Sequence, residues 1–312
     1  MREITIGFDT SNYTTSCALF DGAEGENSGR LLDVAQGQLG LRQSDALFSH
    51  VKRLPEIVER LDVCGDIIAV GASEKPRETE NSYMPCFLAG VAQGRVLANM
   101  LGVPYFGFSH QQGHIAAAAW SAGRIDLLEK EHLAWHLSGG TTELLYVRPF
   151  GVAVKCEIIG GTDDLAVGQL IDRAGQLLGL SFPSGKELDA LAANADKLDK
   201  YTPKISGMSF SVSGIEHKMK GIFENGEKAE NIAYFTLASV VSAVHAATEN
   251  AIAKYGDMPV LYSGGVASNS LLRRLTPDGI FAEPRYSTDN AMGCAILTYR
   301  AVKDGKTDIQ RI

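Results

Sequence analysis

The chain of 312 residues is long enough for one large or two moderate domains, and its 45% hydrophobic and 21% charged residues are typical of a globular protein. A formal net charge of −8 excludes an overall basic surface for nucleic acid, but not a local basic groove. The five cysteines are widely spaced and form no C-x-x-C pair, so reduced thiols and a cytoplasmic location are the simplest interpretation.

The N-terminus predicts a strand rather than a signal peptide, and no uncharged apolar run is long enough to cross a membrane, so we expect no membrane contact. Alternating residues predict strands over 3–8 and 15–20, joined by a polar turn. A third strand is expected over 30–39, before a helix over 45–62. A strand at 66–72, a charged loop at 73–82, a helix at 88–101 and a strand at 103–108 complete this first round.

The second round repeats that architecture without a sequence repeat that can be aligned. Strands are predicted over 133–137, 143–147 and 152–159, and helices over 164–178 and 185–193. A glycine- and serine-rich stretch at 206–214 precedes a long helix over 229–255. A strand at 260–262, a short helix at 270–275, a strand at 280–282 and a last helix from 290 follow. The pattern predicts an α/β protein of two lobes with a cleft between them.

A pair of histidines, His110 and His114, opens an alanine-rich run that predicts a helix. Residues four apart share a helix face, so the two imidazoles can bind one metal ion if a carboxylate completes the site. The alternative is a pair of histidines that cap, pack or contact solvent, because a bare H-x-x-x-H is a weak motif.

Turns of small polar residues follow three predicted strands, and glycines in such turns let successive N–H groups bind a phosphate. The turns are Asp9-Thr10-Ser11, Ser138-Gly139-Gly140-Thr141-Thr142 and Ser263-Gly264-Gly265. One Gly-Gly turn is usually only a turn, but three small polar turns that each close a strand suggest a nucleotide cleft in a two-lobed chain. None is a Walker or Rossmann motif. Asp289, before the last helix, is compatible with a helix cap or with a carboxylate aimed into the cleft.

In their order and combination, these motifs resemble those of the universal tRNA threonylcarbamoyl-adenosine transferase family, also called glycoprotease-like. The resemblance covers nearly the whole chain. The matching segments are His110-Gln111-Gln112-Gly113-His114 for H-x-E-G-H, 138–142 for S-G-G-x-T, 163–173 for D-D…G-E-x-x-D-K, 210–214 for F-S-F-S-G, 264–269 for G-G-V-x-x-N and 288–292 for T-D-N-x-A-M.

The resemblance implies a two-lobed fold of the actin, hexokinase and Hsp70 ATPase superfamily with a central cleft. We expect an N-terminal lobe over 1–108, joined by a C-terminal helix over 290–312, and a C-terminal lobe over 109–289 that holds the metal and nucleotide cleft. One divalent metal ion, iron or zinc, is implied on His110, His114 and Asp289. The residues implied to hold the adenine nucleotide or adenylate are His136, Leu137, Ser138, Gly139, Gly140, Asp172, Gly185, Gly264, Gly265 and Asn269.

The reaction implied by the resemblance is transfer of a threonylcarbamoyl group from threonylcarbamoyl-adenylate to the exocyclic amine of a tRNA adenosine next to the anticodon. The metal would act as a Lewis acid, and partner subunits of the threonylcarbamoylation machinery would dock on the N-terminal lobe. The turn at Asp9-Thr10-Ser11 is a further candidate phosphate turn, and no residue is assigned as a catalytic acid or base.

The chain departs from the family pattern at several positions. Gln112 and Gln169 stand where the family has glutamate, Arg173 and Glu216 where it has lysine, and Thr141 where it has histidine or asparagine. Asn12-Tyr13-Thr14 replaces C-D-E, and the charged stretch from Ser73 replaces a glycine- and proline-rich loop.

These departures leave open a second hypothesis, a divergent paralogue that keeps the nucleotide and metal cleft but carbamoylates another acceptor or acts as a binding or regulatory subunit. A metalloprotease is the third and most distant hypothesis, because the amide of Gln112 cannot act as the base that such an enzyme needs.

Overall fold

The computed structural model describes residues 2–11, 13–33 and 41–305. The strands are β1 Glu3–Asp9, β2 Thr14–Phe20, β3 Gly25–Leu31, β4 Asp66–Lys75, β5 Tyr105–Ser109, β6 His132–Leu137, β7 Thr142–Phe150, β8 Ala153–Thr162, β9 Ile205–Ser206, β10 Ser209–Phe210, β11 Val260–Ser263 and β12 Ile280–Phe281. The helices are α1 Gln43–Val58, α2 Leu88–Leu101, α3 His110–Ser121, α4 Val167–Leu177, α5 Gly185–Ala192, α6 Ser213–Glu224, α7 Ala229–Tyr255, α8 Ser270–Leu275 and α9 Met292–Lys303.

Most predicted elements are present, but some bounds differ, and β4 extends to Lys75 into the loop predicted over 73–82. The third strand was predicted over 30–39, whereas β3 spans Gly25–Leu31. Asn12, residues 34–40 and the end of the helix predicted over 290–312 lie outside the described residues. The stretch from 206 to 214, predicted as an irregular segment, contains β9, β10 and the start of α6. Helix α6 was missed because glycines and charges interrupt it, although Ile215 and Met219 are fully buried one turn apart.

The chain divides into two compact units. In the described part, the first unit contains residues up to Lys130, the segment Arg148–Cys156 and residues from Thr288 onward, and the second contains Glu131–Val147 and Glu157–Ser287. The expected lobes divided the chain at 108/109 and put all of 109–289 in the second lobe, so this division differs from the prediction. Helix α3 lies in the first unit because it packs against α9.

The first unit is built on a five-stranded sheet of order β3-β2-β1-β4-β5. Strands β1, β2 and β3 pair antiparallel, whereas β4 and β5 continue parallel to β1. Helix α9 lies directly on this sheet: a Cβ added at Gly7 of β1 would be 2.4 Å from the amide nitrogen of Ala295. Helices α3 and α9 also meet at two glycines, because a Cβ on Gly293 would be 1.8 Å from the carbonyl oxygen of Gly113. This close crossing brings the segment before α9 beside the start of α3.

The second unit has a seven-stranded sheet of order β12-β11-β6-β7-β8-β10-β9. Strands β11 and β6 are parallel, so their carboxyl ends lie at the same edge. The core contains the fully buried Trp135 and one side of the long helix α7. Among the described residues, α7 is the one helix long and apolar enough to cross a membrane, and 78% of its most apolar window is buried inside the protein, as in a core helix.

Candidate functional site

The two histidines of the predicted metal site lie one turn apart at the start of α3. Ser109 caps this helix, and its hydroxyl accepts a hydrogen bond from the amide of Gln112 at 3.3 Å. The four-residue spacing puts both rings on one face, with the Nε2 atoms of His110 and His114 2.8 Å apart. Asp289 places Oδ1 3.5 Å from Nε2 of His110 and 3.3 Å from Nε2 of His114. The structure therefore brings together the three residues predicted as metal ligands.

The three donor atoms have separations that suit a divalent transition metal. Bonds of about 2.0–2.2 Å put neighbouring ligand atoms about 3–3.5 Å apart around a tetrahedral or octahedral ion, and the observed separations run from 2.8 to 3.5 Å. Two imidazole nitrogens and one carboxylate oxygen form a donor set that zinc and iron(II) use when other positions stay open. The residues present thus fit the metal that the motifs imply, and they suit iron and zinc equally.

A second carboxylate, Asp9 at the end of β1, contacts the other side of the first histidine. Its Oδ2 lies 2.8 Å from Nδ1 of His110. Asp9 is 1% exposed and also accepts hydrogen bonds from the amide and hydroxyl of Ser11 and from the hydroxyl of Ser73. Asp9 therefore belongs to the candidate metal cluster, where it contacts the predicted ligand His110 and is not itself a predicted ligand.

The ionisable groups of this cluster shift each other's pKa. Burial raises the pKa of Asp9, but the charge of His110 and the hydrogen bonds from His110, Ser11 and Ser73 outweigh it and lower the value. Burial likewise raises the pKa of Asp289, but the hydrogen bonds and charges of His110 and His114 outweigh it and lower the value. Burial also lowers the pKa of His110, but the charge of Asp9 and the hydrogen bonds with Asp289 and Asp9 outweigh it and raise the pKa to about 10. The cluster thus favours positive charge between two carboxylates, and the same field favours a divalent cation.

Gln112, where the family motif has glutamate, has a structural role in the protein core. Its Oε1 accepts a hydrogen bond from the backbone N–H of Ser109 and its Nε2 donates to the carbonyl of Val154, each at 2.9 Å. The side chain is 4% exposed. A carboxylate would keep the first bond but could not donate the second. Gln112 therefore ties the start of α3 to β8, and its side chain is not a ligand in the cluster.

The turn Asp9-Thr10-Ser11, predicted as a phosphate turn, uses its polar groups within the protein. The hydroxyl of Thr10 donates to the carbonyl of Cys86 and accepts from the amide of Gly90, at 3.0 and 3.1 Å. The amide and hydroxyl of Ser11 both donate to Asp9. All three turn residues are buried, so these contacts weigh against phosphate binding, which stays a prediction.

A cavity of about 430 Å³ lies in the second unit, where the loops after β6 and β11 meet helices α4 and α5. This size suits a small ligand, and carboxyl ends of parallel strands are the usual place for one in open α/β sheets. The residues predicted to bind a nucleotide that line it are Gly139, Asp172, Gly185, Gly265 and Asn269.

The glycines around this pocket are of two kinds. A Cβ added at Gly139 or Gly265 would have no atom within 4 Å, so these residues leave space. A Cβ on Gly264 would be 2.2 Å from the carbonyl oxygen of Leu137, and Gly264 has a φ of +92°. Gly264 is therefore required for the close approach of β11 to β6. The pocket thus depends on glycine both for open volume and for backbone packing.

The remaining predicted nucleotide residues, His136, Leu137, Ser138, Gly140 and Gly264, do not line the cavity. Leu137 is fully buried, and the hydroxyl of Ser138 accepts hydrogen bonds from the amides of Gly140 and Thr141 at 3.4 and 3.0 Å. These residues shape the turn that presents Gly139. Their contact with a ligand stays a prediction.

Sequence reasoning missed other residues of the pocket wall, notably Lys186 and Asp189. Asp189 accepts hydrogen bonds from the side chain of Asn269 at 2.8 Å and from the amide of Ser270 at 3.0 Å, and so joins α5 to α8. Lys186 adds a cation to a wall that also carries Asp172. The signal that could have found both was their position in the first turns of α5, directly after the predicted Gly185.

Known proteins of one family are similar to this chain over most of its length. The family model described as tRNA N6-adenosine threonylcarbamoyltransferase matches residues 83–296. A protein of that name from Halalkalibacterium halodurans is 31% identical over 306 residues, which cover 91% of this chain and 84% of the relative. Another, from Carboxydothermus hydrogenoformans, is 29% identical over 98% of this chain and 94% of its own length.

Solved structures agree on the fold at low identity. Full-length HypF in a phosphate- and nucleotide-bound form superposes with a TM-score of 0.61 at 12% identity, over 98% of this chain and 56% of HypF. The activator of 2-hydroxyisocaproyl-CoA dehydratase from Clostridium difficile, with bound ADPNP, gives a TM-score of 0.55 at 15% identity, over 99% of both chains. These likenesses confirm the predicted actin-like α/β fold.

Proposed function

The chain belongs to the tRNA N6-adenosine threonylcarbamoyltransferase family, which makes it a transferase, and from this premise we propose that it transfers a threonylcarbamoyl group from threonylcarbamoyl-adenylate to a tRNA adenosine. The acceptor would be the exocyclic amine of the adenosine next to the anticodon, and the reaction would use one iron or zinc ion. We propose that this reaction takes place in the cytoplasm.

The observation that carries the proposal is the joint presence of two features that the reaction needs. The ligand atoms of His110, His114 and Asp289 lie within 4.8 Å of one another in the first unit. The second unit has a pocket walled by Gly139 and Gly265, whose size suits the nucleotide part of the donor. A bound divalent ion would supply Lewis acidity toward a carbamoyl or phosphate oxygen.

The residues of the chain would divide the remaining work. Asp9 and Ser109 hold the first histidine and the start of α3 in position, through the 2.8 Å contact with His110 and the helix cap. In the pocket, Gly139 and Gly265 would let the ligand approach the backbone, and the ammonium of Lys186 would face the negative charge of a phosphate. Binding and orientation by these groups would bring the donor's carbonyl carbon to the attacking amine. As the C–N bond forms, the bond from that carbon to the phosphate oxygen would break, AMP would leave and the amine would lose a proton.

The departures from the family motif that suggested a paralogue have local structural partners. Gln112 bonds within the core, and the Oε1 of Gln169 accepts from the amide of Ala166 at 3.1 Å as a helix cap. Glu216 pairs with Arg173 at 2.8 Å. These three side chains therefore have structural roles in this chain that require no change of reaction. The side-chain amide of Gln112, which bonds to the backbone at Ser109 and Val154 and cannot act as a base, also counts against a protease.

A partner subunit would bind the first unit through α1 and α2. Exposed apolar side chains follow one stripe of α2, at Leu88, Val96 and Met100, and one of α1, at Phe48 and Val51. The three residues on α2 are separated by eight and four positions, so they share a helix face. Helices α1 and α2 pack against each other, and exposed apolar side chains of this kind are typical of a protein interface. The occupant that fits is a protein subunit offering a matching apolar helical face.

This docking proposal is tested by size-exclusion chromatography with the partner subunits. Met100→Glu and Phe48→Glu should each prevent complex formation, whereas Leu198→Glu, at an exposed position in the second unit, should not. Equal complex formation by all three variants would contradict the proposed face.

The reaction is tested with purified chain, adenylate-forming partners, ATP, bicarbonate, radiolabelled threonine and unmodified tRNA. We expect label in the tRNA, and none in a tRNA with guanosine at the target position. His114→Ala should lose the transfer. An unlabelled tRNA from a chain that demonstrably binds both metal and nucleotide would overturn the proposed reaction and favour the paralogue.

A further inference from the structure

We propose that Asp9 is a positioning residue that holds His110 with its Nδ1 proton toward the carboxylate, so that Nε2 is the nitrogen that faces the metal. This inference rests on the proposed metal-dependent function for its purpose, but the contact between Asp9 and His110 can be tested without a metal. It reassigns Asp9, because the sequence suggested a phosphate turn at this position.

The first step of the argument is an account of donors and acceptors around Asp9. An ionised carboxylate can only accept hydrogen bonds. Its Oδ1 lies 2.9 Å from the amide nitrogen of Ser11 and also contacts the Ser11 hydroxyl. Its Oδ2 lies 2.8 Å from Nδ1 of His110 and contacts the hydroxyl of Ser73. Each of these partners must therefore donate, and Nδ1 of His110 must carry a proton.

The second step follows from the geometry of the imidazole ring. With Nδ1 committed to Asp9, Nε2 is the ring nitrogen left for a metal ion. That atom lies 3.5 Å from Oδ1 of Asp289 and 2.8 Å from Nε2 of His114. The ring of His110 therefore contacts two carboxylates: Asp9, which orients it, and Asp289, which would bind the same metal ion. A hydrogen bond to the far nitrogen of a ligating histidine fixes the ring orientation and strengthens it as a ligand.

The third step concerns what holds Asp9 in place. Ser73 and Asp9 are both 1% exposed. The hydroxyl of Ser73 also lies 3.5 Å from the Sγ of Cys294, a buried residue in the first turn of α9. The segment before the same helix carries Asp289. Helix α9 therefore adjoins both the ligand carboxylate and the residues that support the orienting carboxylate.

The proposal gives a definite expectation for Asp9→Asn, which preserves size but places an amide in the site. If the amide oxygen keeps the two donors from Ser11, the NH₂ group faces Nδ1 of His110. The ring must then accept there and carry its proton on Nε2, directed at the proposed metal position. Zn²⁺ affinity should fall by about 10–100-fold, the usual range when a group that supports a metal ligand is lost.

The experiment measures two quantities for each variant. The first is the low-field Nδ1–H proton resonance of His110 in metal-free, ¹⁵N-histidine-labelled protein, and the second is Zn²⁺ affinity by competition with a chromophoric chelator. Wild type should show the proton resonance and bind Zn²⁺. Asp9→Asn should lose the resonance and the affinity, whereas Asp33→Asn, at an exposed position, should change neither.

Several outcomes would overturn the proposal. A folded Asp9→Asn protein with wild-type Zn²⁺ affinity would do so, as would a wild-type ring without a proton on Nδ1. If Asp9→Asn does not fold, Ser73→Ala decides, because it removes one bond to Asp9 and should weaken Zn²⁺ binding by a smaller factor in the same direction; unchanged affinity overturns the proposal. Wild type that shows the resonance but binds no Zn²⁺ would refute the metal function while supporting the contact with Asp9.

Discussion

In the first unit the candidate site consists of ionisable side chains, whereas in the second the candidate pocket depends on glycines that leave space. His110, His114 and Asp289 place three donor atoms within 4.8 Å of one another, and a change in any of them removes a proposed ligand. In the pocket, Gly139 and Gly265 contribute by lacking side chains. Metal binding in the first unit should therefore be weakened when a side chain is removed. Ligand binding in the second unit should be weakened when a side chain is added.

The largest expected effect is on metal binding in the first unit. Replacing His114 by alanine removes one of three ligands, and we expect Zn²⁺ affinity to fall by about 100-fold or more. Nucleotide affinity, for which we propose the pocket of the second unit, should stay within about twofold of wild type. Competition with a chelator measures the first quantity and calorimetry with an adenine nucleotide the second. A parallel loss of both affinities in a folded protein would contradict independent sites.

Gln112→Glu tests whether the glutamine at the centre of the histidine motif serves the fold or the metal cluster. The carboxylate would face the carbonyl of Val154 without a proton to donate, in a position that is 4% exposed. We expect unfolding in urea to require about 2 kcal/mol less free energy. Gln111→Glu, on the same helix turn, is the control and should change stability by much less. Unchanged stability of Gln112→Glu would show that the core role is wrong.

Gly139→Val tests the opposite sensitivity, gain of a side chain in the pocket. The added Cβ would meet no atom within 4 Å, so the protein should fold normally, but the side chain would enter the cavity. We expect nucleotide affinity to fall at least about tenfold, or roughly 1.4 kcal/mol, with Zn²⁺ affinity unchanged. Gly140→Val is the matched control, because Gly140 is equally open and does not line the cavity. Equal losses in the two variants would place the ligand elsewhere on this turn.

The smallest expected effect concerns the acid stability of the second unit. Burial raises the pKa of Asp164, but hydrogen bonds from Ser211 and from the amides of Val212 and Ser213 outweigh it and lower the pKa to about 2. A carboxyl group whose pKa is lowered by folding stabilises the folded protein at pH values above its ordinary pKa near 4. This stabilisation is lost as the pH falls from about 4 to about 2.

Asp164→Asn should therefore cost about 1 kcal/mol at pH 7, a value reduced because the side chain is exposed. The difference from wild type should shrink below about pH 4, while Asp163→Asn serves as the neighbouring control. Free energies of unfolding measured across this pH range decide the matter. A difference that stays constant with pH would rule out the carboxylate's ionisation as its cause.

Local pattern was enough to predict most of the secondary structure. The bounds predicted for α2, α7 and α8 are those that the structure shows. Helix α6 was missed because Gly214 and Gly221 and several charges obscure its apolar face. The two glycine turns could be located because each follows a buried strand, and their sequence order matched a known family.

What the sequence by itself determined was the set of groups available to each site: two histidines on one helix face, an aspartate before α9, and glycines at strand ends. Only the tertiary structure decided which groups meet. The crossing of α3 and α9 at Gly113 and Gly293 brings Asp289 to the histidines, and β1 delivers Asp9 to the far side of His110. Helical periodicity is a local property that a sequence displays directly, whereas a contact between distant segments depends on how sheets and helices pack, and no local pattern records it.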